Sequence, residues 1–287
     1  MGTLEGRKAR TSDRMAGRWR DSGSTFYTKA PIKEDERVSD NYRLSIVLPA
    51  HNEESNVATA IERAAEAASR LCSDYEIVIV DDGSTDATAD VVRAEAAENP
   101  HVRLVSHDKN RGYGEALHTG FRAATMDLVF FTDADNQFDF EELEKVLPLS
   151  DRVGVVAGYR KVRQDPWRRR FTARVWNVVV RALFYVPVRD IDCAFKIFRR
   201  SVLEEIDIES VGAMVNTELM VKLGRSGHGV AEVGVTHFPR TSGKARGATP
   251  KVVFMAIREL RRMRHRLREM DVHTQKGTAE TPTQQAS

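Results

Sequence analysis

The sequence predicts an α/β protein with a doubly wound, Rossmann-like sheet, mostly parallel and flanked by helices. Two observations carry that expectation. Short β-branched apolar runs alternate with amphipathic, Ala-rich stretches between residues 43 and 132. The apolar runs also end in polar clusters, where open α/β sheets collect their ligands.

The elements follow in order. Leu44–Leu48 reads as a first strand and Ser55–Leu71 as a helix. Glu76–Val80, continuous and β-branched, reads as a strand buried on both faces. Thr85–Ala97 is the next helix, with Ser84, Thr85 or Asp86 as its cap. Val102–Val105 is a third strand, Glu115–Ala124 a helix and Leu128–Thr132 a fourth strand. Residues 1–40 and 272–287 lack a sustained period and read as polar tails. The intervening 41–247 reads as one domain, and 248–271 as a basic amphipathic helix.

Composition narrows the function. The chain has 287 residues, 30% of them charged, and a formal net charge of only +2, which argues against bulk nucleic-acid binding. Its two cysteines, Cys72 and Cys193, are too few for a disulfide framework or a structural zinc site. The N-terminus lacks the apolar core of a signal peptide. No apolar run reaches the roughly 18 residues that span a bilayer, and Val175–Val188 is interrupted by Arg181. A cytoplasmic location follows as an expectation, with peripheral contact at the inner face of a membrane left open.

The strand ends carry the chemistry. Pro49-Ala50-His51-Asn52-Glu53 ends the first strand and Asp81-Asp82-Gly83-Ser84-Thr85-Asp86 the second. A carboxylate there accepts hydrogen bonds from a base or ribose, and Gly83 supplies a permissive turn. Asp133-Ala134-Asp135-Asn136-Gln137 follows the fourth strand. In an extended chain Asp133, Asp135 and Gln137 would face one side and offer hard oxygens to Mg2+ or Mn2+. The bland alternative for each is an ordinary capped turn. Gly112 and Gly114 open the helix after the third strand and would let backbone approach a phosphate or ribose. Position 117 is Leu, so this is not a dinucleotide fingerprint.

These pieces, with Gly158-Tyr159-Arg160 and Asp190-Ile191-Asp192-Cys193-Ala194-Phe195-Lys196, resemble a family 2 glycosyltransferase of the GT-A fold. The dolichyl-phosphate mannose synthase and polyprenyl-phosphate glycosyltransferase group is the nearest in pattern. The resemblance covers residues 43 to about 245. It implies a metal-dependent, inverting transfer of a hexose from a GDP- or UDP-sugar to a polyprenyl phosphate. Pro49, His51, Glu53, Asp82, Gly112, Gly114, Asp133 and Ala134 then belong to the nucleotide-sugar site, and His51 departs from the tyrosine common there. Asp133, Asp135 and Gln137 match the metal group, with Asp133 alternatively on the ribose or sugar. Arg240 and Lys244, in a basic loop with Gly243 and Gly247, match a mobile element that closes over phosphates.

The acceptor side rests on Arg160, Arg170 and Arg174, of which Arg160 and Arg174 match phosphate-binding positions of the related synthases. Arg170, Arg174, Asn177 and Arg181 fall at i, i+4, i+7 and i+11, a cationic stripe on one helical face. A phosphate nucleophile needs positioning more than a base. A hydroxyl acceptor would need one, and Asp190 or Asp192 would serve. Glu218 matches an acidic position of open role. From Met255 to Met270 arginines crowd one side and Ala256, Leu260, Met263, Leu267 and Met270 the other. Membrane contact, packing on the domain and dimerisation all fit that helix, and the oligomeric state is open. Two rivals remain: the same fold acting on a soluble hydroxyl acceptor, and a non-catalytic nucleotide-sugar-binding or membrane-docking protein.

Overall fold

A computed structural model describes residues 41–162, 167–184, 186, 188–212, 214–240 and 258–265, with side chains from 172 onward in the 167–184 segment. Both tails, Lys244 with its loop, the side chain of Arg170 and the outer parts of the basic C-terminal helix lie outside the described residues.

The elements run β1 (Arg43–Ala50), α1 (Val57–Leu71), β2 (Asp74–Asp81), α2 (Thr88–Glu98), β3 (Val102–Ser106), α3 (Tyr113–Ala123) and β4 (Leu128–Thr132). After a 3-10 turn at Phe140–Glu142 come α4 (Leu143–Ser150), β5 (Val155–Arg160), α5 (Trp167–Phe184), β6 (Phe195–Arg199), α6 (Arg200–Glu204), α7 (Val215–Arg225) and β7 (Val230–Val235). The sheet has seven strands in the order β3-β2-β1-β4-β6-β5-β7. β1 pairs in parallel with β2 and β4, so Ala50, Asp81 and the end of β4 reach one rim. β6 is the exception, antiparallel to both β4 and β5. A reversed strand begins where its neighbours end, so the residues just before Phe195 arrive at that same rim.

The first half follows the sequence pattern closely. α1 buries Val57, Ala60, Ile61, Ala64, Ala67, Ala68 and Leu71, the i, i+3, i+4 stripe of a helix on a sheet. β2 buries Glu76 through Asp81 without a break. α2 begins at Thr88, later than the expected Thr85. Its first turn is occupied elsewhere: Asn52 N donates to Ser84 Oγ (2.9 Å) and Thr85 N to Asn52 Oδ1 (2.8 Å). None of the three candidate caps holds the N-cap position, which is Ala87; Asp86, one residue earlier, accepts from Thr88 N at 3.0 Å.

α5 differs from the expected stripe. Asn177 is buried, donating from Nδ2 to Ala173 O (2.9 Å) and accepting on Oδ1 from Ile191 N (3.0 Å). Arg174 is exposed, whereas Arg181 is half-buried with Nε on Asn177 O. A polar residue therefore faces inward, and Val175, Val178 and Val179 face out with 46%, 55% and 37% exposure. The reason is local: the 190–193 turn has a backbone N–H that needs an acceptor, and Asn177 supplies it.

The basic C-terminal segment is helical over 258–265, with Leu260 and Met263 buried against the core. Of the three fits, packing on the domain is what these residues do. Among the described residues no helix is long and apolar enough to cross a membrane.

At the opposite rim a buried carboxylate fastens the sheet. Glu76 Oε1 accepts from Ser45 Oγ (2.6 Å), Thr125 N (2.6 Å) and Thr125 Oγ1 (2.8 Å), and Oε2 from Arg103 Nε (3.0 Å) and Nη2 (2.6 Å). Burial works to raise its pKa, but the bonds from Ser45, Thr125 and Arg103 outweigh that and hold it below the ordinary value. A depressed folded pKa stabilises above the unfolded value, about 4.3, and the contribution is lost as pH falls through the folded value. Glu76→Gln turns one acceptor into a donor among donors, and should cost about 2–3 kcal/mol at pH 7. Denaturant melts at pH 7 and pH 3 check this: the gap between variant and wild type should shrink in acid.

Candidate functional site

Three strand ends meet in a cleft of about 300 Å³, lined by Pro49, Ala50, His51, Asn52, Glu53, Asp82, Asn110, Tyr113, Ala116, Asp133, Ala134, Asp135 and Arg240. Pro49, His51, Glu53, Asp82, Asp133 and Ala134, expected at the nucleotide-sugar, all line it. So does Asp135.

The floor is Asp82. Its Oδ1 accepts from His107 Nδ1 (2.8 Å) and Arg111 N (2.8 Å), and its Oδ2 from Gly112 N (2.9 Å). His107 is buried, and its Nε2 meets Thr119 Oγ1 of α3 at 2.9 Å. His51 Nδ1 lies 2.8 Å from Asp82 O. Gly83 has φ +62°, and a Cβ there would lie 2.3 Å from the Lys109 carbonyl carbon, so only glycine lets the 108–111 loop fold over Asp82.

Gly112 and Gly114 are a correction. Neither lines the cleft. Gly114 N donates to Val211 O (3.0 Å), and a Cβ on Gly114 would lie 2.1 Å from Ser210 O. A Cβ on Gly112, at φ +103°, would meet Val211 O at 2.5 Å. The glycines admit a protein strap where a phosphate was expected. Glu218 explains the strap. Its buried carboxylate accepts from Glu209 N and from Ser210 N (2.7 Å) and pairs with Lys222 Nζ at 2.7 Å.

The Asp133 group also departs from simple alternation. β4 stops at Thr132, and Asn136 adopts φ +58° while its Nδ2 donates to Asn56 O (2.9 Å). The chain thus turns between Asp135 and Gln137 rather than staying extended. Gln137 Nε2 donates to Phe238 O at 3.0 Å, and its backbone N to Asp135 Oδ1 at 3.2 Å. Asp133 Oδ1 accepts from Tyr113 O–H at 2.8 Å. Burial pushes the Asp133 carboxyl up, and burial together with Asp133 pushes Asp135 up. Burial and the neighbouring Asp133 also raise Tyr113 well above the ordinary phenol value, which keeps it a donor.

Arg240 supplies positive charge. Its guanidinium contacts Glu53 Oε1, and Nη1 lies 3.6 Å from Asp135 Oδ2. The 236–240 segment is brought there by Thr236 on Glu142, by Phe238 N on Gln137 O (2.8 Å) and by a bridge between Phe138 and His237. A cation seated against these carboxylates is the test of whether they suit a metal: the cluster carries charge that calls for a counter-ion. Among the described residues no three His, Cys, Asp or Glu side chains gather to hold one alone. Asp133 and Asp135 fit a divalent ion only as part of a set completed by other oxygens.

Arg160 and Asp190, expected at the acceptor phosphate and as a base, are paired with each other. Nε lies 2.6 Å from Oδ2 and Nη2 2.8 Å from Oδ1, both side chains being 9% exposed. Burial opposes the charge on Arg160, and the Asp190 bonds outweigh it, so its pKa is raised. Asp192 is half-buried, two residues along the same turn.

Sequence reasoning missed Tyr113, His107, Asn216 and Lys196. Only the last left a visible signal: a lysine inside the apolar run Ala194-Phe195-Lys196-Ile197-Phe198.

Undecaprenyl-phosphate 4-deoxy-4-formamido-L-arabinose transferase of Serratia proteamaculans (strain 568) is 30% identical over 225 residues, 76% of this chain and 66% of that protein. The same-named protein of Edwardsiella ictaluri (strain 93-146) is 35% identical over 164 residues, 56% and 50% of the two chains. The chain thus spans about half to two thirds of the length of the curated relatives it matches. Among solved structures, glucosyl-3-phosphoglycerate synthase from Mycobacterium tuberculosis, in complex with Mn2+, UDP and phosphoglyceric acid, superposes with TM-score 0.56 at 21% identity, covering 70% of this chain and 72% of that one. Mannosyl-3-phosphoglycerate synthase from Rubrobacter xylanophilus gives 0.56 at 20% identity, covering 86% and 78%. These two show the GT-A fold. Residues 45–207 match the family model described as "Glycosyl transferase family 2", and with the strand-end cleft in the expected place, the chain belongs to glycosyl transferase family 2.

Proposed function

We propose that the protein moves a sugar from a nucleoside-diphosphate sugar to the phosphate of a polyprenyl lipid, with inversion at the anomeric carbon. The observation that carries this reading is the cleft itself, where the Asp82 floor and the Asp133–Asp135 pair stand at the ends of β2 and β4, on either side of β1. Donor base and diphosphate would lie along that line.

The Asp82 hydrogen bonds favour uracil over guanine as the base. A carboxylate offers about four acceptor positions, and three are filled by His107, Arg111 and Gly112. The one left, on Oδ2, suits the single imide N–H of uracil. Guanine brings two adjacent donors, and one left unpaired costs about 1–3 kcal/mol.

Asp133, Asp135 and Gln137 are the residues that would hold Mg2+ or Mn2+, which supplies Lewis-acid stabilisation of the departing diphosphate. Gln137 donates from Nε2 to Phe238 O, and its Oε1 is the atom that would take part. Arg240, beside the same carboxylates, is placed to move onto diphosphate oxygens as they arrive. Lys244 belongs to the same proposal through its loop.

In the transfer an acceptor phosphate oxygen forms a bond to the anomeric carbon as the carbon–diphosphate bond breaks. The electron pair leaves on the nucleoside diphosphate. Such a nucleophile is already anionic, which fits the engagement of both Asp190 oxygens by Arg160. The acceptor class is drawn from the names of the relatives and from the outward valines of α5, which suit a lipid chain. Arg174 and Arg170 are the candidate phosphate contacts on that helix.

Asp135→Ala should abolish transfer while circular dichroism stays native; full activity in that variant with chelator present would remove the metal from the scheme. A thermal-shift screen with Mn2+ should show UDP raising the melting temperature more than GDP at equal concentration. A larger shift with GDP would overturn the base assignment. Transfer to water-soluble hydroxyl acceptors, lost in Asp192→Asn, would replace the lipid phosphate by the rival acceptor class. Arg240→Gln should slow turnover, yet tighten Mn2+ binding to the nucleotide-free protein by about tenfold, or 1.4 kcal/mol, because a competing internal cation is gone. Electron paramagnetic resonance titration reads this directly, and weaker Mn2+ binding would show that Arg240 does not compete.

A further inference from the structure

The Asp82 floor rests on a histidine that the chemistry described so far does not use. His107 stands one residue past β3, where its backbone N donates to Asp81 O (2.9 Å) and extends the pairing of β2 with β3. Its ring joins two elements. Nδ1 meets Asp82 Oδ1 at 2.8 Å, and Nε2 meets Thr119 Oγ1 of α3 at 2.9 Å. The His107 and Asp82 side chains are each 5% exposed. His107 is not among the residues that line the cleft.

The partners fix the proton. An ionised carboxylate only accepts, so Nδ1 carries the hydrogen. Nε2 then either accepts from the Thr119 hydroxyl or donates to it. Donating would require an imidazolium, and a charge taken out of water costs several kcal/mol. Asp82 does not call for that charge, because Arg111 N and Gly112 N already donate to its two oxygens. The Thr119 hydroxyl therefore donates to Nε2, and the ring is neutral with its hydrogen on Nδ1. Thr119 is placed for this by its neighbour. A Cβ on Gly120 would lie 2.2 Å from Val47 Cγ1 and 3.1 Å from Val80 Cγ2, so glycine lets α3 lie directly on β1 and β2.

The simplest account is a bolt between a helix and a loop. The distribution of donors on Asp82 goes further. Two of the three are backbone amides, which any residue supplies, one to each oxygen. His107 is a side chain with a second anchor, and it makes the oxygens unequal. With it, Oδ1 holds two donors and Oδ2 one. Without it, each oxygen would hold one amide and keep one open position, and neither would be preferred.

We propose that His107, held by Thr119, is a positioning residue for base recognition: it saturates Asp82 Oδ1 and leaves Oδ2 as the acceptor for the imide N–H of the donor base. This rests on the proposed placement of that base against Asp82. His107 itself touches no substrate.

Calorimetry on the full chain tests it, with Mn2+ present and UDP or inorganic pyrophosphate as the ligand. His107→Phe keeps an aromatic ring and removes both nitrogens. It should weaken UDP by about tenfold, or 1.4 kcal/mol. Pyrophosphate has no base, and its affinity should stay as in wild type. His107→Asn, whose amide can stand where Nδ1 does, should recover most of the UDP affinity. Nitrogen-correlated NMR of the histidine rings should show His107 protonated on Nδ1 alone, and its Nε2 resonance should move in Thr119→Val while the hydrogen stays on Nδ1. Unchanged UDP affinity in His107→Phe, or equal losses for UDP and pyrophosphate, marks a bolt that acts only on the fold and overturns the proposal. A wild-type ring protonated on Nε2 overturns it as well. Should His107→Phe fail to fold, Thr119→Val decides with the same two ligands, UDP again being the one that weakens. A wild type that binds no uridine nucleotide overturns the base reading and takes this proposal with it, whereas a wild type that binds UDP as tightly as its variants sinks only the role of His107.

Discussion

Two carboxylates are held side by side at a largely buried strand end, and most of the site answers to that fact. Asp133 and Asp135 raise each other's cost of ionisation, and burial adds to it. The surroundings offset the cost by separate means. Tyr113 donates a hydrogen bond, Arg240 places a guanidinium alongside, and Lys196 and Arg160 act through space from beneath. Each comes from a different element: α3, the segment after β7, β6 and β5. The cluster is therefore assembled by the whole sheet, and it retains a demand for further positive charge of the kind a bound cation supplies.

The parallel half supplies the precision. β1 and β2 end in register, and their loops are laced by Asn52, Ser84, Thr85, Glu54 and Asp86. Asp82 then ties the 107–112 segment down through a histidine and two backbone amides. Loops are ordinarily the variable part of an α/β protein. Here side chains of one loop satisfy the backbone of the next, which fixes the floor of the cleft.

The fold was legible in the sequence up to Thr132 because each strand there is a continuous apolar run and each helix has a one-sided apolar period. Beyond that point the sheet takes in a strand that runs backwards, and nothing in Phe195–Arg199 tells direction. The cleft residues were legible as polar groups at strand ends. Their partners were not. Arg160 and Asp190 are separated along the chain and look like independent functional residues, yet pairing satisfies both. Gly112 and Gly114 read as a ligand cradle because a glycine records only that something comes close; here it is the backbone at Ser210 and Val211. Asn177 fitted a polar face until the unsatisfied amide of Ile191 claimed it.

The Arg160–Asp190 pair sits where β5 ends and shortly before β6 begins. It closes the neck of the excursion that contains α5. Once the neck is fixed, the closure entropy of what lies between grows slowly, by about 0.6 kcal/mol for each doubling of length. The excursion can therefore lengthen, shorten or change its outer surface without disturbing the strands on either side. A drawstring of this kind lets the segment carrying α5 diverge rapidly while the cleft floor stays unaltered, and gives a single place at which chimeras could exchange one such segment for another.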